Sequence, residues 1–174
     1  MKNIYLIGMM GAGKTSTGEA LAKELSLNFV DMDEGIVKST KMTINEIFES
    51  RGGPYFRKLE REGLKLVSKT KGQVVATGGG VVLDPENVRL MKESGILIYL
   101  RAPIETLWSR VQTKTDRPLL KTLNPKEVFA KLFYERKPLY EAIRDHAVNT
   151  EGRNPLEVAR EVITILRLTS HERT

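Results

Sequence analysis

The run Gly8-Met9-Met10-Gly11-Ala12-Gly13-Lys14-Thr15 constrains the chain more than any other segment. Its fixed glycines are followed at once by a lysine and a hydroxyl residue. That spacing is the phosphate-binding loop pattern, and it has meaning only between a strand and a helix. Both flanks are present. Asn3–Ile7 reads as a buried strand, and Lys14–Leu25 places Leu21, Ala22 and Leu25 on one helical face. Glycine lets the backbone turn tightly, so that successive N–H groups converge on phosphate oxygens. The helix start adds the positive end of its dipole. Lys14 then reaches the β- and γ-phosphates, and the Thr15 hydroxyl is a hard oxygen ligand for Mg²⁺. A glycine-rich turn that binds nothing is the bland alternative, and the full pattern with both flanks argues against it. The loop therefore predicts ATP with Mg²⁺. The nearest string to a guanine-reading motif, Asn124-Pro125-Lys126-Glu127, does not match one.

The rest of the chain alternates in the same way. Asn28–Asp31, Gln73–Thr77, Ile96–Leu100 and His146–Asn149 read as further short buried strands, with helical patterns between them. Asp84-Pro85 and Asn124-Pro125 look like helix starts, and Gly95 sits where a C′ glycine should. Pro155 opens a last helix with Leu156, Ala159, Ile163 and Leu166 on one face. Alternation of this kind predicts an α/β three-layer sandwich around a five-stranded parallel sheet, in one domain over 1–174.

Two stretches break the alternation. A helix-rich stretch from Asp33 to about Thr70 is longer than a crossover needs, and Thr43 to Glu46 makes a capping-box start inside it. It reads as an insertion, with residues of about 33–61 given to a substrate. The polar segment of about 112–124 carries Arg117-Pro118 and reads as a lid.

Composition narrows the class of partner. Of 174 residues, 40% are hydrophobic and 29% charged, and cysteine is absent, which excludes disulfides and thiolate chemistry. No signal peptide or membrane-length apolar run is visible, so a cytoplasmic location is expected. The net charge of +6 is spread along the chain without a basic, aromatic-interleaved run. That predicts a solvated surface with a few arginines in an anion site and no nucleic-acid partner.

Several residues beyond the loop are placed for chemistry. Asp31 and Asp33 follow the second strand, where open α/β sheets bind ligands. One can hold a water of the Mg²⁺ shell, and the other can orient or deprotonate an acceptor hydroxyl. By position alone they are equally well a pair of solvated loop acids. Thr77-Gly78-Gly79-Gly80 removes side chains where something approaches the backbone, although taken alone it reads as a flexible loop. Arg57, Arg117 and Arg136 lie in the insertion, in the lid and before a helix-kinking Pro138. A guanidinium fork suits carboxylate or phosphate, though singly each reads as a surface arginine. His146 at a strand start, His171 in a frayed tail and Trp108 on a helix face read as structural.

Together these motifs resemble the shikimate kinase family over about residues 2–167. The resemblance rests on Gly8–Thr15, Asp31-Met32-Asp33, Phe56-Arg57, Val75 to Gly80, Arg117-Pro118-Leu119-Leu120, and Arg136 before Pro138-Leu139-Tyr140. It implies a nucleoside-monophosphate-kinase-like fold and transfer of the ATP γ-phosphoryl to the 3-hydroxyl of shikimate by a monomer. By position it implies that Arg57 and Arg136 grip the shikimate carboxylate, with Asp33 and the backbone of Gly78, Gly79 and Gly80 around the ring. Asp33 would assist the attacking hydroxyl, and Arg117 would descend onto the transferring phosphate. The nucleotide would be held by Gly11, Ala12, Gly13, Lys14, Thr15 and Ser16, with Arg110, Arg117 and Arg153 outside them. Thr15 and Asp31 would serve the metal. Two other readings stay open: a related kinase for another acceptor, such as gluconate or a nucleoside monophosphate, and a nucleotide-dependent binding protein.

Overall fold

A computed structural model describes residues 1–171, with side chains as far as residue 168. The elements run β1 (Asn3–Ile7), α1 (Lys14–Leu25), β2 (Asn28–Asp31), α2 (Met32–Thr40), α3 (Ile44–Arg51), α4 (Gly53–Lys69), β3 (Gln73–Ala76), α5 (Pro85–Ser94), β4 (Gly95–Arg101), α6 (Ile104–Val111), α7 (Pro125–Ile143), β5 (His146–Asn149) and α8 (Pro155–His171). All strand pairs are parallel, in the order β2-β3-β1-β4-β5. The central strand β1 feeds the phosphate loop. The chain leaves it for β2, beyond β3, and later returns to its other side at β4. That reversal opens a crevice at the carboxyl ends of the strands, where open sheets bind ligands.

Both faces of the sheet are covered, as strands buried all along their length require. The period-2 alternation of β1 shows how. Asn3 and Tyr5 point to one face, where Asn3 Nδ2 donates to Thr70 O at 2.7 Å and the Tyr5 hydroxyl meets Ser94 Oγ at 2.7 Å. Leu6 points to the other, against Gly18 of α1. A Cβ on Gly18 would lie 2.5 Å from the Phe29 ring, so glycine is what lets α1 approach. Fully buried side chains such as Leu6 and Ile98 each contribute about 1.5–3 kcal/mol by leaving water. A small separate cluster of Ile36, Ile47 and Phe56 holds α2, α3 and the start of α4 together. Farther along α4, Leu64 and Val67 join the main core, so the inserted stretch ends as an ordinary crossover helix.

Several local expectations need correction. β3 stops at Ala76, and Thr77 turns its hydroxyl back onto Leu6 O at 2.9 Å. Gly95 caps α5 in extended conformation (φ −153°), not as a left-handed C′ residue. Its missing side chain serves packing instead, because a Cβ there would collide with the Tyr5 ring. Asn124 precedes α7 without a side-chain cap bond. In α8 the buried row is Val158, Ala159, Val162 and Ile163, and Leu156 is exposed. α7 continues through Pro138 without ending. The capping box of Thr43 and Glu46 forms as expected. His146 begins β5, and Trp108 packs on Phe129 with ring centroids 5.4 Å apart. His171 closes α8, and its side chain lies outside the described residues. Among the described residues no helix is long and apolar enough to cross a membrane.

Candidate active site

The phosphate loop owes its shape to glycine. Gly8, Gly11 and Gly13 have φ of 147°, 84° and 85°, values that L side chains rarely adopt. A Cβ on Gly8 would strike the Leu100 carbonyl. Gly13 caps α1, and the Ala12 N–H donates to Met9 O at 3.1 Å. Lys14 Nζ is drawn into the loop, donating to Gly8 O at 2.8 Å and Met9 O at 3.0 Å. Burial lowers its pKa to about 8, against the opposing pull of Asp33.

Thr15 Oγ1 donates to Asp31 Oδ2 at 2.7 Å, and Asp31 Oδ1 caps α2 by accepting from Glu34 N at 3.1 Å. Threonine hydroxyl and carboxylate are hard donors beside a phosphate site, and they fit Mg²⁺. No group of three or more His, Cys, Asp or Glu is poised for a metal among the described residues. Phosphate oxygens and water must therefore complete such a shell. The cleft over the loop is lined by Gly11, Gly13, Lys14, Thr15, Ser16 and Asp31, with Arg110 at its edge. Arg110 ties the loop to the far strand, donating to Gly11 O at 3.0 Å and Thr150 O at 2.9 Å. Arg153 is held elsewhere, by Glu161, Asn149 O and Glu157 O, and does not line this cleft.

A second cavity adjoins the first. It is lined by Arg57 and Glu60 of α4, Gly78–Gly80 after β3, Arg136 of α7 and an apolar wall of Ile44, Phe48 and Phe56. Met10, Asp33, Gly78, Gly79 and Arg117 border both cavities. They mark the junction of the two. Asp33 sits in the first turn of α2, one residue past Met32, and is no solvated loop acid. Burial, and then the nearby Asp31, push its pKa above the usual carboxylate range. Its Oδ1 is buried without a hydrogen-bond partner, as is Glu60 Oε1. Glu60 Oε2 accepts from Arg57 Nη1 at 2.8 Å. A Cβ on Gly78 would fall 2.6 Å from Glu60 Oε1 and 3.2 Å from Asp33 Oδ1, and one on Gly80 would collide with the Arg57 guanidinium. The three glycines are therefore a close approach between β3 and charged groups, not a flexible loop. Arg136 is only 4% exposed, which removes it from the class of surface arginines.

The segment of about 112–124 lies over this junction. It contains a 3-10 turn at Pro118–Leu120 and is held to α3, where Asn45 Nδ2 donates to Thr115 O at 2.9 Å and Lys121 Nζ pairs with Glu49 Oε1 at 2.8 Å. Arg117 Nε is buried there and makes no hydrogen bond, with Asp116 Oδ1 3.8 Å away. Sequence reasoning missed Glu60, the apolar wall, and Tyr140, whose hydroxyl donates to Gly79 O beside the site. Glu60 left a faint signal, an acid in the apolar row Phe56-Glu60-Leu64 of α4.

A parallel five-stranded sheet, a phosphate loop after its central strand and a second cavity beside it define a P-loop phosphotransferase of the nucleoside-monophosphate-kinase type. Comparison with known proteins narrows the class. The shikimate kinase family model matches residues 10–167. A shikimate kinase of Thermodesulfovibrio yellowstonii is 48% identical over 163 residues, covering 94% of each chain. One from Persephonella marina is 42% identical over 167 residues, 96% of this chain and all of that one. The structure of Acinetobacter baumannii shikimate kinase in complex with shikimate superposes with a TM-score of 0.94 at 35% identity, covering 97% of this chain and 94% of that one. The chain belongs to the shikimate kinase family. A gluconokinase from Sinorhizobium meliloti, 18% identical with a TM-score of 0.61, shares the fold alone.

Proposed function

We propose that this chain transfers the γ-phosphoryl of ATP to the 3-hydroxyl of shikimate. The observation that carries the reading is the junction of the two cavities at Asp33, Gly78, Gly79 and Arg117. One side offers phosphate donors. The other offers one buried and one half-buried guanidinium group, unpartnered carboxylate oxygens and bare backbone, which suit a small polyol with one carboxylate.

In this reading Arg57 and Arg136 hold the acceptor carboxylate, and Asp33 accepts a hydrogen bond from the attacking hydroxyl. The hydroxyl oxygen bonds to the γ-phosphorus as the bond to the bridging oxygen breaks. ADP leaves with that electron pair, and the hydroxyl proton passes to Asp33. A raised carboxyl pKa suits a group that takes up this proton. Lys14 and Arg117 stabilise charge on the transferring group, and the work is chiefly positioning and electrostatics. Thr15 and Asp31 would hold one Mg²⁺, directly and through water, which would neutralise charge on the β- and γ-phosphates. The lid over the junction excludes water, the competing acceptor.

The test is ADP release from MgATP with shikimate, gluconate or AMP, with the product identified by mass and by NMR of the phosphorylated position. Release specific to shikimate, giving the 3-phosphate, is expected. Release without an acceptor, or equally with gluconate, overturns the reading.

A further inference from the structure

Tyr140 does not line the acceptor cavity, yet its hydroxyl bonds to Gly79, which does. Its ring is 1% exposed and stacks on Tyr99, with centroids 5.2 Å apart and planes at 27°. The core therefore fixes the ring, and the hydroxyl has little freedom. That hydroxyl donates to Gly79 O at 2.5 Å. Arg136 stands one turn earlier on α7, on the same side of Gly79. Arg136 Nη1 and the Tyr140 oxygen lie 3.4 and 3.6 Å from the point where a Gly79 Cβ would stand. Arg136, Tyr140 and Gly79 thus meet at one place.

The consequence follows from peptide geometry. The Gly79 carbonyl and the Gly80 N–H belong to one planar trans unit and point in opposite directions. Fixing the carbonyl fixes the N–H, in a turn closed by Val81 N donating to Gly78 O at 3.2 Å, whose central glycines leave that peptide able to flip. Gly80 lies directly against the Arg57 guanidinium, and Gly79 against Arg136. The Gly79–Gly80 peptide is therefore bracketed by the two arginines that flank the acceptor cavity.

We propose that the Tyr140 hydroxyl is a positioning group for the acceptor's carboxylate, locking the Gly79–Gly80 peptide and the Arg136 guanidinium in one arrangement. Rotation of that peptide would take the Gly79 carbonyl off the Tyr140 hydroxyl and shift the backbone that lies between Arg57 and Arg136. This rests on the proposed function, because it presumes a carboxylate between Arg57 and Arg136.

The experiment compares the chain with its Tyr140→Phe variant, which keeps the stacked ring and deletes only the hydroxyl. The expected result is a rise of about tenfold in KM for shikimate, the loss of one well-made hydrogen bond, with KM for ATP within twofold. The melting temperature is expected to fall by no more than a few degrees. In a cycle with Arg136→Lys, the double variant should lose less than the product of the single losses, because both changes act on one arrangement. An unchanged KM for shikimate, or strictly multiplicative losses, overturns the proposal. A parallel rise in both KM values with a lower melting temperature assigns the hydroxyl to the fold and also overturns it. Failure of the unaltered chain to use shikimate at all strikes the proposed function itself and takes this inference with it.

Discussion

The Thr15 hydroxyl and the Asp31 carboxylate are joined by a 2.7 Å hydrogen bond that ties the start of α1 to the end of β2. It places both proposed metal-side groups on neighbouring rigid elements. Thr15→Ala is expected to raise the Mg²⁺ concentration giving half-maximal activity by about tenfold, whereas Thr15→Ser restores most of it. Mg²⁺ titration at fixed ATP reads this out. Equal Mg²⁺ dependence in all three proteins would remove Thr15 from the metal site.

Arg136 is nearly inaccessible and faces a cavity separate from the phosphate loop's own cleft. Arg136→Ala should therefore lower kcat/KM for shikimate by about 10³-fold, since charged hydrogen bonds contribute about 1.5–3 kcal/mol each. ATP affinity, measured by calorimetry, should change less than threefold. Turnover retained within a few-fold would show the carboxylate to be gripped elsewhere.

Gly80 borders only the acceptor cavity, and a Cβ there meets the Arg57 guanidinium. That guanidinium is the far end of a long side chain and can shift, so Gly80→Ala should fold. The shifted Arg57 would lose its 2.8 Å pairing with Glu60, and KM for shikimate should rise at least about tenfold. Initial-rate kinetics at saturating ATP would check this.

In the proposed mechanism two groups would set the pH profile in opposite directions. Lys14 must be protonated to hold phosphate, and burial lowers its pKa to about 8 in the free protein. kcat/KM for ATP should therefore fall as pH rises past about 8. Asp33 must be ionised to accept the proton, and burial raises its pKa. kcat/KM for shikimate should therefore fall on the acid side with a midpoint above the ordinary carboxylate range. A profile flat from pH 5 to 9 would contradict both assignments.

Asp33 also links function to stability. A carboxyl whose pKa is higher folded than unfolded destabilises the fold once it is ionised, and does not below its unfolded pKa. Asp33→Asn should therefore raise the melting temperature at neutral pH while abolishing activity. The gain should vanish as pH falls below the ordinary carboxylate pKa. A variant less stable than the parent at pH 7 would refute this.

Much of the site was legible because it is local. The phosphate loop carries its glycines, lysine and threonine within eight positions, and each φ above zero falls on a glycine, two of them fixed by the pattern. Strand positions were legible because buried parallel strands leave short apolar runs between helices. Arg57, Asp33, Gly79 and Arg136 were legible only through resemblance. They lie far apart in sequence, and each by itself has an ordinary surface or loop reading. Glu60 escaped because a lone acid in an amphipathic helix reads as solvent-facing until its burial is seen. Tyr140 escaped because an aromatic on a helix face is most simply core.

By itself the sequence determined the alternation of strands and helices, the turn that cradles phosphate and the residue types around it. Those follow from dihedral preference, side-chain period and spacing within a few residues. Only the tertiary structure decided which charges are buried and which face one another. Packing α2, α4 and α7 around the Gly78–Gly80 turn brought Asp33, Glu60, Arg57 and Arg136 into one cavity beside the loop. Burial there raised one pKa and, at Lys14, lowered another, because desolvation depends on neighbours distant in the chain.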